Sequence, residues 1–318
     1  MIIDILLLIV GAALILWGAD KLTDASAALA RRLKVSDTVI GLTVVAMGSS
    51  LPEFSVSLFS SIQGSGGMSA GNIVGSNMFN ILFIVGAVAI VRPLSVQKAT
   101  IWKDVPLTIL ASVVLWLLTK DVLLGSTNED VLTRADGAVM FMFFLIFLSY
   151  TFSIAKHKSA DTAQEGSIKE MSLPVTLLWL LVGFACLIGG GELLVESGTS
   201  IATQLGVSET VIGLTILAGG TSLPEFVASL IAAKKGMSGM AIGNVVGSCV
   251  FNIFFVLGVC SMVRPMEVGD IDPLQLYALI GSGILVWLFC ATRSLVEKWE
   301  GLVMCLAYVA FIVYLIVG

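Results

Sequence analysis

The chain has 318 residues, 57 % of them hydrophobic and only 12 % charged, with a mean hydropathy of +1.03 and a formal net charge of −5. Soluble domains carry about 25 % charged residues, so this composition excludes an ordinary soluble enzyme. It also excludes a disordered chain, which needs low hydrophobicity and high charge, and a nucleic-acid binder, which needs a basic patch. A polytopic helical membrane protein remains, because the long unbroken apolar runs do not alternate as barrel strands do.

In chain order, the apolar runs predict ten transmembrane helices of roughly 20 residues or more. They cover about residues 2–30, 36–62, 69–91, 99–119, 134–155, 172–203, 208–233, 240–263, 273–291 and 297–317. The segment Met1–Trp17 lacks a basic n-region and stays apolar beyond any cleavage site, so it reads as the first span and not as a signal peptide. The five cysteines, Cys186, Cys249, Cys260, Cys290 and Cys305, all fall inside apolar runs and read as small hydrophobes. The expected organisation is a five-helix repeat over 1–155, a short linker over 156–171 and a second five-helix repeat over 172–318, together forming one membrane domain.

Basic residues set the orientation. One set of alternate loops holds Arg31, Arg32, Lys34, Arg92, Lys98, Lys103, Lys156, Lys158, Lys169, Lys234, Lys235, Arg293 and Lys298. The other holds Lys120, Arg134 and Arg264. The richer side faces the cytoplasm, so both termini face out and the linker, with the lone His157, faces in. The expected location is the plasma (inner) membrane, as a multi-pass protein.

A shift of 172 residues aligns the two halves without a gap. GLTVVAMGSSLPEFSVSL from Gly41 matches GLTILAGGTSLPEFVASL from Gly213, and GNIVGSNMFNI from Gly71 matches GNVVGSCVFNI from Gly243. About 25 of 46 positions agree between 41–86 and 213–258. Five spans per half is an odd number, so the second copy enters the membrane from the opposite side. This is the inverted-topology plan of many secondary transporters, with a polar site expected near the midplane.

Glu53 and Glu225 lie mid-run in apolar segments, each in the string SLPEF. A carboxylate at the bilayer centre costs roughly 2.5–3.5 kcal/mol on insertion scales, so each needs a cavity, a partner or a cation. Pro52 and Pro224 precede them and free the carbonyls of Gly48 and Gly220. Irregular backbone at this depth is tolerated only where it lines a cavity or is buried in protein. Freed carbonyls, hydroxyls and carboxylates make an all-oxygen site that suits hard cations such as Na⁺ and Ca²⁺ and not zinc or copper. Ser49 and Ser50 share a helix face with Glu53. Asn72, Ser76 and Asn80 form a stripe at intervals of four, repeated by Asn244, Ser248 and Asn252. Ser76, Asn80, Ser248 and Asn252 read as ligands; for Asn72 and Asn244, interhelical hydrogen bonding is an equal alternative.

The paired GLTVVAMGSSLPEF and GLTILAGGTSLPEF, with GNIVGSNMFN and GNVVGSCVFN, resemble the α-repeats of the cation/calcium antiporter superfamily, whose best-known members are the sodium/calcium exchangers. The resemblance spans nearly the whole chain. It implies alternating access, with Na⁺ and Ca²⁺ carried through one midplane cluster. It also implies acidic ligands Glu53 and Glu225, hydroxyl ligands Ser50, Ser222, Ser76 and Ser248, backbone carbonyls from Ala46, Ala218, Ser49 and Thr221, and amides from Asn80 and Asn252. The long first and sixth spans would slide against the rest. In similar exchangers one of the positions held here by Asn80 and Asn252 is often aspartate. With both neutral, the ring carries −2, which balances one Ca²⁺ or two Na⁺. The leading expectation is a Na⁺/Ca²⁺ antiporter. The alternative is a Ca²⁺/H⁺ antiporter on the same scaffold, since burial raises a Glu pKa and eases proton coupling. No enzymatic activity, no cofactor beyond the transported ions and no nucleic-acid partner are expected. The bilayer is the expected surrounding, and one chain suffices because both half-sites lie in it.

Overall fold

The computed structural model describes residues 2–120, 122–123, 130–157, 171–205, 218–268 and 271–317. Most of the expected linker and the opening of the span expected over 208–233 lie outside the described residues. The helices are α1 (Ile2–Leu33), α2 (Asp37–Ser49), α3 (Leu51–Gln63), α4 (Gly66–Val91), α5 (Thr100–Leu118), α6 (Arg134–His157), α7 (Leu173–Gln204), the single turn α8 (Ala218–Gly220), α9 (Leu223–Lys234), α10 (Ser238–Val263), α11 (Pro273–Arg293) and α12 (Lys298–Val317). Among the described residues eight helices are long and apolar enough to cross a membrane, and α2 with α3 makes a ninth crossing bent by 47°.

Burial divides these helices into two layers. Long stretches of α4 and α10 are almost wholly enclosed by protein, whereas α1, α6, α7 and α12 expose most of their apolar surface. Ile3 on α1, Leu181 on α7 and Leu306 on α12 are more than half exposed. A water-soluble protein rarely presents such continuous apolar faces; here they meet lipid. Inside, small residues let backbones approach. The helices α1 and α7, each 32 residues long, lie antiparallel. A Cβ on Gly11 would stand 2.8 Å from the Gly190 carbonyl oxygen, and one on Gly18 would stand 2.6 Å from Cys186 Cβ and 3.0 Å from the Gly183 oxygen.

Some contact residues recur at the 172-residue offset seen in the sequence: Leu94–Ser95 with Met266–Glu267, Arg92 with Arg264 and Ile62 with Lys234, whereas the partner strands do not share that offset. The two-residue strand β1 (Leu94–Ser95) pairs antiparallel with β4 (Leu295–Val296), and β3 (Met266–Glu267) pairs with β2 (Val131–Leu132). Each ribbon joins segments from opposite halves that the charge distribution assigns to one side. Arg92 donates to the Lys234 carbonyl at 2.8 Å, and Arg264 donates to the Ile62 carbonyl at 2.8 Å. Each arginine satisfies a terminal carbonyl of the other half's broken helix, a group that no intrahelical donor reaches. Gly64 and Gly236 sit just beyond those helix ends with φ of 89° and 87°, where a side chain would be strained.

Candidate functional site

The breaks before α3 and α9 build the site. Pro52 and Pro224 stand in the first turns of α3 and α9, and each lacks the N–H that would continue the preceding helix. Ser50 (φ −85°, ψ 13°) and Ser222 (φ −90°, ψ 7°) take the joints and occupy the N-cap positions, yet neither caps its own helix. Their hydroxyls cross to the other half. Ser50 donates to Glu225 Oε1 at 2.7 Å, and Ser222 donates to Glu53 Oε1 at 2.8 Å. All four residues are fully buried. Both glutamates lie in first turns, where the positive end of a helix dipole favours anionic oxygen.

The second oxygen of each carboxylate, Oε2, is buried without a hydrogen-bond partner. Among the described residues fifteen buried side-chain polar atoms lack partners, and seven belong to Glu53, Ser76, Asn80, Thr221, Glu225 and Asn252. Buried polar groups are normally paired, so this concentration of six oxygens and the Asn80 amide nitrogen sets these residues apart as candidates for binding something other than protein. Among the described residues no three His, Cys, Asp or Glu side chains gather as a conventional metal cluster. The donor set is two carboxylates with neutral oxygens, which matches hard cations.

The remaining predicted residues fall on the same elements. The Ala46 carbonyl accepts from Ser49 Oγ at 3.3 Å and from Ser248 Oγ at 3.5 Å, which joins α2 to α10. Ser49 Oγ also reaches Asn244 Oδ1 at 3.3 Å. Ala218 opens the turn before the second break, and Thr221 directly follows that turn. Asn80 and Asn252 lie in π-helical turns, Phe79–Ile84 within α4 and Phe251–Leu257 within α10. Such widened turns are frequent at functional sites. Asn72 and Asn244 donate their amide N–H groups to neighbouring helices. Asn72 Nδ2 donates to Ser57 Oγ at 3.0 Å, and Asn244 Nδ2 donates to Ser229 Oγ at 2.9 Å and to the Glu225 carbonyl at 3.2 Å.

Sequence reasoning passes over Asn77. It is fully buried, donates to the Cys249 carbonyl at 3.2 Å and accepts from Asn252 Nδ2 at 3.1 Å. The signal available was its failure to repeat: where the first half has GSN, the second has GSC, so Cys249 stands at the matching position.

A lipid-exposed helical bundle that encloses unpartnered carboxylate, hydroxyl and amide oxygens is a multi-pass membrane protein whose interior offers oxygen donors of the kind hard cations take. The model of the family described as "Sodium/calcium exchanger protein" matches residues 3–153 and 175–317. The chain belongs to that family. It is 35 % identical to the inner membrane protein YrbG of Escherichia coli (strain K12) over 92 % of this chain and 90 % of that one. It is 29 % identical to the sodium/calcium exchanger MaX1 of Methanosarcina acetivorans over 98 % of both. A solved structure of the sodium-calcium exchanger NCX_Mj, soaked with 10 mM Na⁺ and zero Ca²⁺, superposes with a TM-score of 0.83 at 32 % identity over 98 % of both chains.

Proposed function

We propose that this protein is a secondary antiporter that exchanges Na⁺ for Ca²⁺ by alternating access at one buried oxygen site. The observation that carries the reading is the reciprocal crossing of Ser50 to Glu225 and Ser222 to Glu53, which leaves one unpartnered oxygen on each buried carboxylate. The ligands are Glu53, Glu225, Ser50, Ser222, Ser76, Ser248, Asn80 and Asn252, with the carbonyls of Ala46, Ala218, Ser49 and Thr221. The two carboxylates together balance one Ca²⁺ or two Na⁺, so the ions compete for one set of oxygens and exchange follows. The printed names of MaX1 and NCX_Mj support sodium and calcium as the ion pair.

The scaffold in this reading has ten spans in two inverted repeats, 1–155 and 172–318, joined by a cytoplasmic linker, with both termini outside the plasma membrane. One chain carries the complete site. The tightly packed α1 and α7 move together as the sliding unit. A Cβ on Gly48 would strike the Phe184 ring and one on Gly220 would strike the Val195 side chain, so α7 presses on the backbone beside both breaks. A shift of α7 is thereby felt at both halves of the site.

Reconstitution into Na⁺-loaded liposomes tests the reading. Ca²⁺ uptake on dilution into Na⁺-free buffer is the expected result; uptake driven only by a pH gradient would replace Na⁺ with H⁺ as the coupling ion.

A further inference from the structure

We propose that Asn77, although not a ligand itself, fixes the Asn252 amide so that its oxygen is reserved for the transported cation. The inference rests on the ion site proposed above and deepens it. It follows from a chain of hydrogen bonds with one unambiguous end. The Cys249 backbone carbonyl only accepts, so the group 3.2 Å from it on Asn77 is the amide nitrogen. Asn77 Oδ1 is then the atom facing Asn252, and it only accepts. Asn252 must present Nδ2 to it, at 3.1 Å. The remaining polar atom of Asn252 is Oδ1, which is buried and has no protein partner. A backbone carbonyl in α10 thus sets, through two amides, which atom of Asn252 stays available. A cation requires oxygen there, because an amide N–H repels it.

The other half supplies the contrast. Asn80 is the repeat mate of Asn252, but Cys249 replaces the mate of Asn77. A thiol is a weak donor and does not orient an amide as a second amide does. Accordingly, both Nδ2 and Oδ1 of Asn80 are buried without partners. The site therefore has one amide ligand held in orientation by a protein hydrogen bond and one without such a bond. An ionised aspartate at 252 would have no N–H for Asn77 Oδ1. Asn77 would have to turn and abandon the Cys249 carbonyl, so Asn77 and a neutral Asn252 are matched to each other.

The test is Ca²⁺ binding to the detergent-purified protein by isothermal titration calorimetry, which reads the site whichever ion drives transport. The proteins are the wild type, Asn77→Cys, Asn252→Ala and the double variant, with Asn77→Ala replacing Asn77→Cys if the latter is not monodisperse. Losing the orienting bond raises the Ca²⁺ dissociation constant by about five- to tenfold. In the Asn252→Ala background the same substitution adds less than a twofold change, because there is no amide left to orient. A purely structural role for Asn77 would instead multiply the two losses. The swap Asn77→Cys with Cys249→Asn moves the orienting amide to the other half, where it holds Asn80, and recovers most of the affinity. Multiplicative losses, or an Asn77→Cys protein with wild-type affinity, would overturn the assignment of Asn77 alone. A wild type that binds no Ca²⁺ would overturn the ion site and this inference with it.

Discussion

Glu225→Gln is the substitution whose consequences the geometry constrains most closely. Glutamine keeps the shape of the side chain. Its Oε1 continues to accept from Ser50 Oγ, now at 2.7 Å from Glu225 Oε1, and its Nε2 replaces an oxygen that has no protein partner. No protein–protein hydrogen bond is lost. What changes is one unit of negative charge. At about 4 Å and an effective dielectric near 20, a unit charge attracts a divalent cation by roughly 8 kcal/mol. Altered solvation offsets most of that, and a remainder of about 2 kcal/mol corresponds to roughly thirtyfold in Kd. The ion-free protein is not weakened, because glutamine keeps the shape of the side chain and its bond from Ser50 while removing a carboxyl group that is costly to ionise when buried. Calorimetric Ca²⁺ titration and thermal unfolding of the ion-free protein in detergent read the two effects. Weaker Ca²⁺ binding with an unchanged or raised unfolding midpoint is expected. An affinity within threefold of wild type, or a lowered midpoint, would refute the reasoning.

Other substitutions probe other links. Asn252→Asp takes the formal site charge from −2 to −3 and changes the Na⁺ dependence of Ca²⁺ uptake; an unchanged Na⁺ response would remove this position from the coupling site. Gly220→Ala drives a methyl into Val195 of α7, with an overpacking cost of about 1–3 kcal/mol; slower transport and a lower unfolding midpoint are expected, and unaltered turnover would detach α7 from the second break. At the N-terminal end of α11, the Asp272 carboxylate accepts from Leu274 N–H at 2.9 Å and from the Tyr314 hydroxyl at 2.8 Å, and these bonds hold its pKa below the ordinary value of 3.8. A depressed carboxylate stabilises the fold at neutral pH, and that contribution is lost as pH falls through the folded-state value. Asp272→Ala therefore lowers the unfolding midpoint more at pH 7 than at pH 3; an equal loss at both would show that the bonds do not depend on the charge.

Much of the architecture is legible because lipid imposes a strict rule on sequence: spans must be apolar, and each exception needs a reason. The runs around α1, α4, α7 and α10 declare themselves by length and hydropathy. The breaks at Ser50 and Ser222 follow from Pro52 and Pro224 acting on the local backbone. Glu53 and Glu225 stand out by their cost. What is not legible depends on which atoms meet across the bundle. Nothing in SLPEF reveals that Ser50 serves the glutamate of the other half and not its own. Asn72 and Asn244 have the same spacing as the proposed ligands, and only the structure shows that their amides hold Ser57 and Ser229. Asn77 is invisible to periodicity because its partners, Cys249 and Asn252, are distant in sequence. The ribbons β1–β4 and β2–β3 are two residues long, below any alternation a sequence reading detects.

The most direct measurement is radioactive Ca²⁺ uptake into proteoliposomes loaded with Na⁺ and diluted into Na⁺-free medium, beside matched vesicles with a pH gradient and no Na⁺ gradient. The account predicts uptake that requires internal Na⁺, is absent with the pH gradient alone and, at Ca²⁺ below the wild-type Kd, falls by at least about tenfold in Glu53→Gln and Glu225→Gln. Na⁺-driven uptake at the wild-type rate in either glutamine variant under those conditions would contradict it.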